Sequence, residues 1–131
     1  TDALEALNKP HERLTIEQST LSISDITQWL NNHILPSKKT LVFVTNQWAL
    51  KSVYNALQSY EAVIPKQVGL LGFNNTDWTD LPAKSISTIV EPVYEEGYAA
   101  CKMLLKRIKD SSLEPEHKLL TCKLNWLEST I

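Results

Sequence analysis

Glycine is scarce in this sequence, with three residues in 131. That excludes the glycine-rich loops that cradle phosphates: neither GxGxxG nor GxxxxGK[ST] occurs, and the nucleophile elbow GxSxG is missing too. Cysteine is rarer still, with only Cys101 and Cys122. They fall in segments that read as a helix and a strand, so free, buried thiols are expected rather than a disulfide. His11, His33 and His117 stand far apart, with no cysteine or carboxylate at ligand spacing, which argues against a zinc site. No apolar run approaches the ~20 residues of a membrane span. No signal-peptide pattern opens the stretch, and there are no internal repeats or low-complexity tracts. Thirteen Lys and Arg against fifteen Asp and Glu leave a net charge of -2, which is no electrostatic footprint for nucleic acid. Short basic groups such as Lys38-Lys39 and Lys106-Arg107 read as a solvated face.

What is present fits one soluble globular domain with a single core: 43% of residues are hydrophobic and 21% charged. The run TLVFVTN, Thr40–Asn46, is apolar and β-branched, and reads as a buried strand. In the following QWALKSVYNALQSY, Leu50, Val53, Leu57 and Tyr60 recur at helical spacing. AVIP then leads into VGLLGF, a second buried strand. Strand, helix and strand in that order form a βαβ unit with parallel strands. Upstream, Ser24 to Leu35 reads as an amphipathic helix ended near Pro36, and LTIEQ (Leu14–Gln18) reads as a strand. The opening TDALEALN looks like a helix already under way, so the chain is expected to begin inside an element.

Downstream, SISTIV (Ser85–Val90) reads as a short strand, and Glu91-Pro92 opens a helix. Pro92 suits the first helical position, Glu95 and Glu96 suit the positive end, and Lys106, Arg107 and Lys109 the other. Gly97 inside that helix is expected to mark close packing against another element. Leu120, Cys122, Leu124 and Trp126 alternate with polar residues, the period of a strand.

In an open parallel sheet, ligands bind outside the carboxyl ends of the strands. Two such ends can be named, Thr45-Asn46-Gln47-Trp48 and Asn74-Asn75 through Trp78. An amide supplies donors and an acceptor, and an indole a flat apolar face with one donor. That combination suits a sugar or a nucleoside. Asn46, Asn74, Trp78, Gln47 and Trp48 are therefore the candidate ligand-binding residues. Each has a plainer role available: Asn46 as a helix cap, Asn74-Asn75 as a turn, the two tryptophans as core. Asp77 and Asp80 are an acid pair by proximity only, a spacing that more often means a capping or solvated turn. No enzyme activity, cofactor or metal is expected.

AVIPKQVGLLGFNNTDWTDL, then SISTIVEPVYEEGYAACKMLLKRI and LNWLEST, resemble the carboxy-terminal part of the LacI/GalR family of bacterial transcription regulators. The match runs over about residues 41–130. The resemblance implies an α/β, three-layer, mostly parallel effector domain of the periplasmic-binding-protein-like type I, here mainly one lobe. On that reading residues 1–131 are the carboxy-terminal lobe, and about 89–109 cross to a lobe not contained in the chain. That crossing helix would then expose an apolar face.

The family implies a cytoplasmic, non-catalytic protein that dimerises, senses a small effector (a sugar, sugar phosphate or nucleoside) and meets operator DNA through a helix-turn-helix absent from this chain. A sugar-binding protein of an uptake system shares the fold and is the alternative. Departures from the pattern accompany the matches. The family's two cleft acids fall at Asn46 and Asn74, its Gln at Glu91, and the Arg of its ReST ending at Leu127. Losing both acids weakens hydrogen bonds to a neutral sugar and removes repulsion toward an anion, so a sugar phosphate is expected to suit the site better. A degenerate site is the other expectation.

Overall fold

The computed structural model describes residues 2–15, 17, 22–34, 37–59, 64–74 and 85–131. Among them, four helices and four strands follow one another as α1 (Asp2–Ala6), α2 (Ile23–His33), β1 (Thr40–Val44), α3 (Gln47–Ser59), β2 (Val68–Phe73), β3 (Ser87–Val90), α4 (Val93–Lys109) and β4 (Lys123–Asn125). The sheet order is β1-β2-β3-β4. β1, β2 and β3 run parallel, while β4 is antiparallel to β3. The βαβ unit read from the sequence is therefore present.

Helix α2 starts where Ser22 accepts a hydrogen bond from the Ser24 amide at 3.2 Å, an N-cap that satisfies one otherwise orphaned donor. At its other end the His33 Nδ1–H donates to the Trp29 carbonyl at 2.7 Å, and the two rings stack with centroids 4.3 Å apart. α3 covers one face of the sheet, and α2 packs against α3. Ile26 and Leu30 from α2 and Leu50 and Leu57 from α3 meet Val68 and Leu70 of β2 in the buried core. Register explains the choice of face: Val42 and Val44 stand opposite Leu70 and Gly72, so the alternate residues of both strands point at α3. Gly72 belongs there because a Cβ at its position would stand 2.6 Å from Leu50 Cδ2. On the opposite face Leu41, Phe43 and Leu124 are exposed.

Ser129 stitches the sheet where β3 has not yet begun. Its carbonyl accepts the Leu70 amide at 2.9 Å, and its own amide donates to the Ser85 carbonyl at 3.1 Å. Its hydroxyl donates to the Leu70 carbonyl at 2.6 Å and accepts the Ser87 amide at 2.8 Å. One buried residue thus holds two strands with four hydrogen bonds. Beside it, Ser87 Oγ accepts the Leu127 amide at 2.8 Å and lies 2.6 Å from Thr130 Oγ1. The LEST segment is a joint built from hydroxyls short enough to imitate a backbone partner.

Several expectations need correction. Gly97 is exposed, and a Cβ there would meet nothing within 4 Å, because no described element packs on that flank of α4. Pro92 is the N-cap of α4, one position before the first helical residue. Cys101 and Cys122 are free as expected but exposed, Cys101 on that open helix and Cys122 just before an edge strand. The last strand is three residues long, since β4 finds partners only at Thr88, Ile89 and Val90. LTIEQ falls partly outside the described residues, and its described members Leu14, Thr15 and Glu17 belong to no regular element. Helix α4 carries Val93, Tyr94, Tyr98, Leu104, Leu105 and Ile108 exposed, with Ala99 as its one buried residue.

At the carboxyl end of α4, the Asp110 carboxylate accepts from Ser112 Oγ at 2.6 Å and from the Ser112 amide at 3.0 Å. These bonds, the hydroxyl first, hold its pKa below the ordinary 3.8. A depressed folded-state pKa means the bonds stabilise the fold above the unfolded value and are lost as pH falls through the lowered one. Ser112→Ala is expected to move the Asp110 titration upward toward 3.8, as followed by carboxyl carbon NMR shifts. A midpoint that stays put would show that the backbone amide alone sets it.

Candidate functional site

The register of the parallel strands brings the polar strand ends together. Val44 stands opposite Gly72, so Asn46 and Asn74, each two residues further on, reach the same carboxyl edge of neighbouring strands. Phe73 stands opposite Ile89, so Asn74 and the residues just past β3, Glu91 among them, share that edge. Neighbouring strands lie ~4.8 Å apart, close enough for one small ligand to touch all three.

Asn46 precedes α3, and its carbonyl accepts the Ala49 and Leu50 amides, both at 3.2 Å. It therefore occupies the cap position, yet its exposed side chain makes no hydrogen bond among the described residues. Gln47 is exposed and Trp48 half-buried in the first turn of α3. Trp78, Asp77, Asp80 and Asn75 lie outside the described residues.

Asn74 is different. Its φ of 62° is left-handed, a conformation asparagine tolerates better than most residues. Its amide donates to the Ile89 carbonyl at 2.6 Å, extending the β2–β3 ladder by one step. Its side chain then turns to Glu91: Nδ2 donates to Glu91 Oε2 at 2.6 Å, and Oδ1 accepts the Glu91 amide at 2.9 Å. The two contacts together fix the orientation of the carboxamide, because an amide N–H can meet only an oxygen and a carboxylate only a donor. The bond to Oε2 is charge-assisted and short accordingly.

Glu91 is thus a half-buried carboxylate at the strand ends, immediately before the α4 cap. Sequence reading gave Glu91 no part in the site. The signal was available, since Asn74 and Glu91 both depart from the family pattern. Their partnership across 17 residues is visible only in space.

No group of three or more His, Cys, Asp or Glu among the described residues could hold a metal ion. No described helix is long and apolar enough to cross a membrane. A shallow hollow of about 200 Å³ lies elsewhere, between Met103, Leu104, Arg107 and residues Glu114 to Glu116. It sits at least ten residues along α4 from the strand ends, ~15 Å at 1.5 Å per residue. A salt bridge of 2.9 Å from Lys106 to Glu116 ties the two segments there. It is a packing gap at the helix end and shares no residue with the site.

The model of the periplasmic binding protein-like domain matches residues 2–130. Among curated proteins, the HTH-type transcriptional regulator KdgR of Bacillus subtilis is 27% identical over 90 residues, 69% of this chain and 26% of its own length. The HTH-type transcriptional regulator RegA of Clostridium saccharobutylicum is 30% identical over 93 residues, 71% of this chain and 28% of its own. The chain thus spans little more than a quarter of these two relatives. Among solved structures, a LacI family transcriptional regulator from Enterococcus faecium with bound ribose is 28% identical, with a TM-score of 0.69 over 98% of this chain and 48% of that one. A LacI family regulator from Arthrobacter in complex with lactose, 19% identical, has the same fold at a TM-score of 0.78 over 99% of this chain and 48% of that one.

Proposed function

The chain belongs to the periplasmic binding protein-like domain family, in the branch formed by the LacI/GalR regulators, and from that premise we propose that it is the effector-sensing part of a bacterial transcription regulator. Its fold is the α/β, three-layer, mostly parallel type I architecture of that family, as a single lobe. One observation carries the functional reading: Asn46, Asn74 and Glu91 converge on the carboxyl edge of three parallel strands, where α/β sheets bind small molecules. Hydrogen-bonding groups at that edge suit the hydroxyls of a sugar. The ribose-bound relative from Enterococcus faecium supports the same ligand class.

In this reading the lobe is non-catalytic and works in the cytoplasm as part of a homodimer, with operator DNA held by a helix-turn-helix elsewhere in the protein. Residues 1–131 form the carboxy-terminal lobe, and about 89–109 cross toward a second one. The exposed apolar residues of α4, Val93, Tyr94, Leu104, Leu105 and Ile108 among them, support that crossing, since an isolated amphipathic helix gains little from leaving them in water. Asn46, Gln47, Trp48, Asn74 and Trp78 are the proposed ligand contacts.

The test is thermal unfolding of the full-length protein with neutral pentoses and hexoses. A ligand at 100 times its dissociation constant adds ~2.7 kcal/mol to the apparent stability. Asn46→Ala is the discriminating variant, because the side chain holds nothing in the described fold. It is expected to leave ligand-free melting within ~0.5 kcal/mol of the parent and to reduce the sugar-induced shift. A shift undiminished by Asn46→Ala would remove this residue from the cleft, and no shift with any sugar would overturn the sensing role.

A further inference from the structure

We infer that the Asn74–Glu91 pair is a brace on a hinge, and that it fixes the direction in which α4 leaves the sheet. The inference rests on the crossing of α4 to a second lobe and goes beyond it. Val90, the last residue of β3, stands beside Lys123, the first of β4. Residues 91–122 therefore lie past the end of the sheet, joined to it by two adjacent chain crossings. Element ends of this kind are where one body turns on another. Packing adds little resistance, since Ala99 is the one buried residue among the 17 of α4.

Glu91 and Pro92 form the outgoing connection, and their freedom can be followed bond by bond. The proline ring holds its own φ, here -81°, and keeps the residue before it to extended angles. Soft rotations remain at the Val90–Glu91 peptide plane and at ψ of Pro92, which stands at 62°. Pro92 makes no side-chain cap bond to the first turn of α4.

Asn74 removes the first of these rotations. Its Oδ1 accepts the Glu91 amide at 2.9 Å, so the peptide plane cannot turn without breaking that bond. Its Nδ2 donates to Glu91 Oε2 at 2.6 Å and ties the side chain of the same residue to the same carboxamide. The brace is itself anchored, because the Asn74 amide donates to the Ile89 carbonyl at 2.6 Å. A carboxamide nitrogen carries two hydrogens, so bracing leaves one of them for a ligand.

Spin-label distances in the full-length protein test this, between Asn31→Cys on α2 and Lys102→Cys on α4, both exposed positions. The native cysteines are replaced in that background. Asn74→Gly keeps the left-handed backbone and removes the carboxamide. Orientations away from the main distance are then expected to become about tenfold more populated, the consequence of losing a hydrogen bond to a charged group. Glu91→Ala loses the carboxylate bond and keeps the amide bond, so a smaller broadening is expected. Glu91→Gln still offers Nδ2 an acceptor and is expected to stay close to the parent. General destabilisation would not follow that order.

A parent distribution that is already broad would overturn the brace, and so would a narrow one that neither Asn74→Gly nor Glu91→Ala broadens. Slow deuterium exchange along α4 in the same protein would leave the two-lobe reading intact in either case. Free exchange throughout α4 would mean that no second lobe covers it, and the crossing and the brace would fall together.

Discussion

Ser129→Ala is expected to destabilise the fold by about 2–4 kcal/mol, out of proportion to the single oxygen it removes. Removing that oxygen leaves the Leu70 carbonyl and the Ser87 amide without the partner they have at 2.6 and 2.8 Å. The site is 1% exposed, so solvent reaches it poorly. An unsatisfied buried backbone group costs ~1–3 kcal/mol, whereas a made hydrogen bond contributes a net ~1. Urea unfolding should show a midpoint lowered by ~1–2 M with an unchanged slope.

Thr130→Val is the control. Its hydroxyl serves Ser87 Oγ and the Leu127 carbonyl at the half-buried rim, where water can substitute, and a loss below ~1 kcal/mol is expected. Equal losses in the two variants would mean that the joint is held by its backbone contacts alone.

The second large effect is a coupling between Leu50 and Gly72. Leu50→Ala is expected to cost 2–5 kcal/mol, the range for a leucine truncated in a closed core. Leu50 has no exposed surface and packs across α3 onto β2. Gly72→Ala is expected to cost ~1–3 kcal/mol for the opposite reason, overpacking. Its new methyl would stand 2.6 Å from Leu50 Cδ2, 3.4 Å from Leu50 Cδ1 and 3.5 Å from Thr88 Cγ2.

In the double variant the methyl enters space that Leu50 has vacated. The combined loss should therefore be smaller than the sum of the single losses, with an interaction energy of ~1–2 kcal/mol from chemical denaturation. Strict additivity would show that β2 shifts away from α3 to relieve the contact in Gly72→Ala, so that Leu50 is not what excludes a side chain there.

Both effects arise in parts of the fold that differ in how well the sequence reveals them. The strand TLVFV was legible as a short β-branched apolar run, and the helix QWALKSVYNALQS by apolar residues at helical spacing. β1 is buried on one face only, however, since Leu41 and Phe43 lie exposed on the other. Gly97 misled because a helical glycine signals either a close neighbour or open space, and composition does not distinguish them. Alternation from Leu120 to Trp126 pointed to a strand; Lys123–Asn125 forms one, while Leu120, Cys122 and Trp126 lie outside it. The length of β4 was set instead by how far β3 extends beside it.

The candidate site was half legible. Strand ends with amides stood out at Asn46 and Asn74, since the carboxyl edge follows from the βαβ order. Glu91 did not stand out, because its role depends on Asn74 turning left-handed and reaching it across the ladder. Trp78 falls outside the described residues.

The Ser129 joint also has a kinetic consequence. Its side-chain bonds close loops of 42 and 59 residues, far longer than any closed by α2 or by the turn at Asp110. Closing a long loop loses chain entropy before the contact returns anything, so local elements form first and such contacts follow. Ser129 is therefore expected to join the sheet after its local elements have formed. A contact made after the rate-limiting step slows escape from the native state without speeding arrival there. Ser129→Ala is then expected to speed unfolding and to leave the rate of folding unchanged, as read from the two arms of a chevron plot.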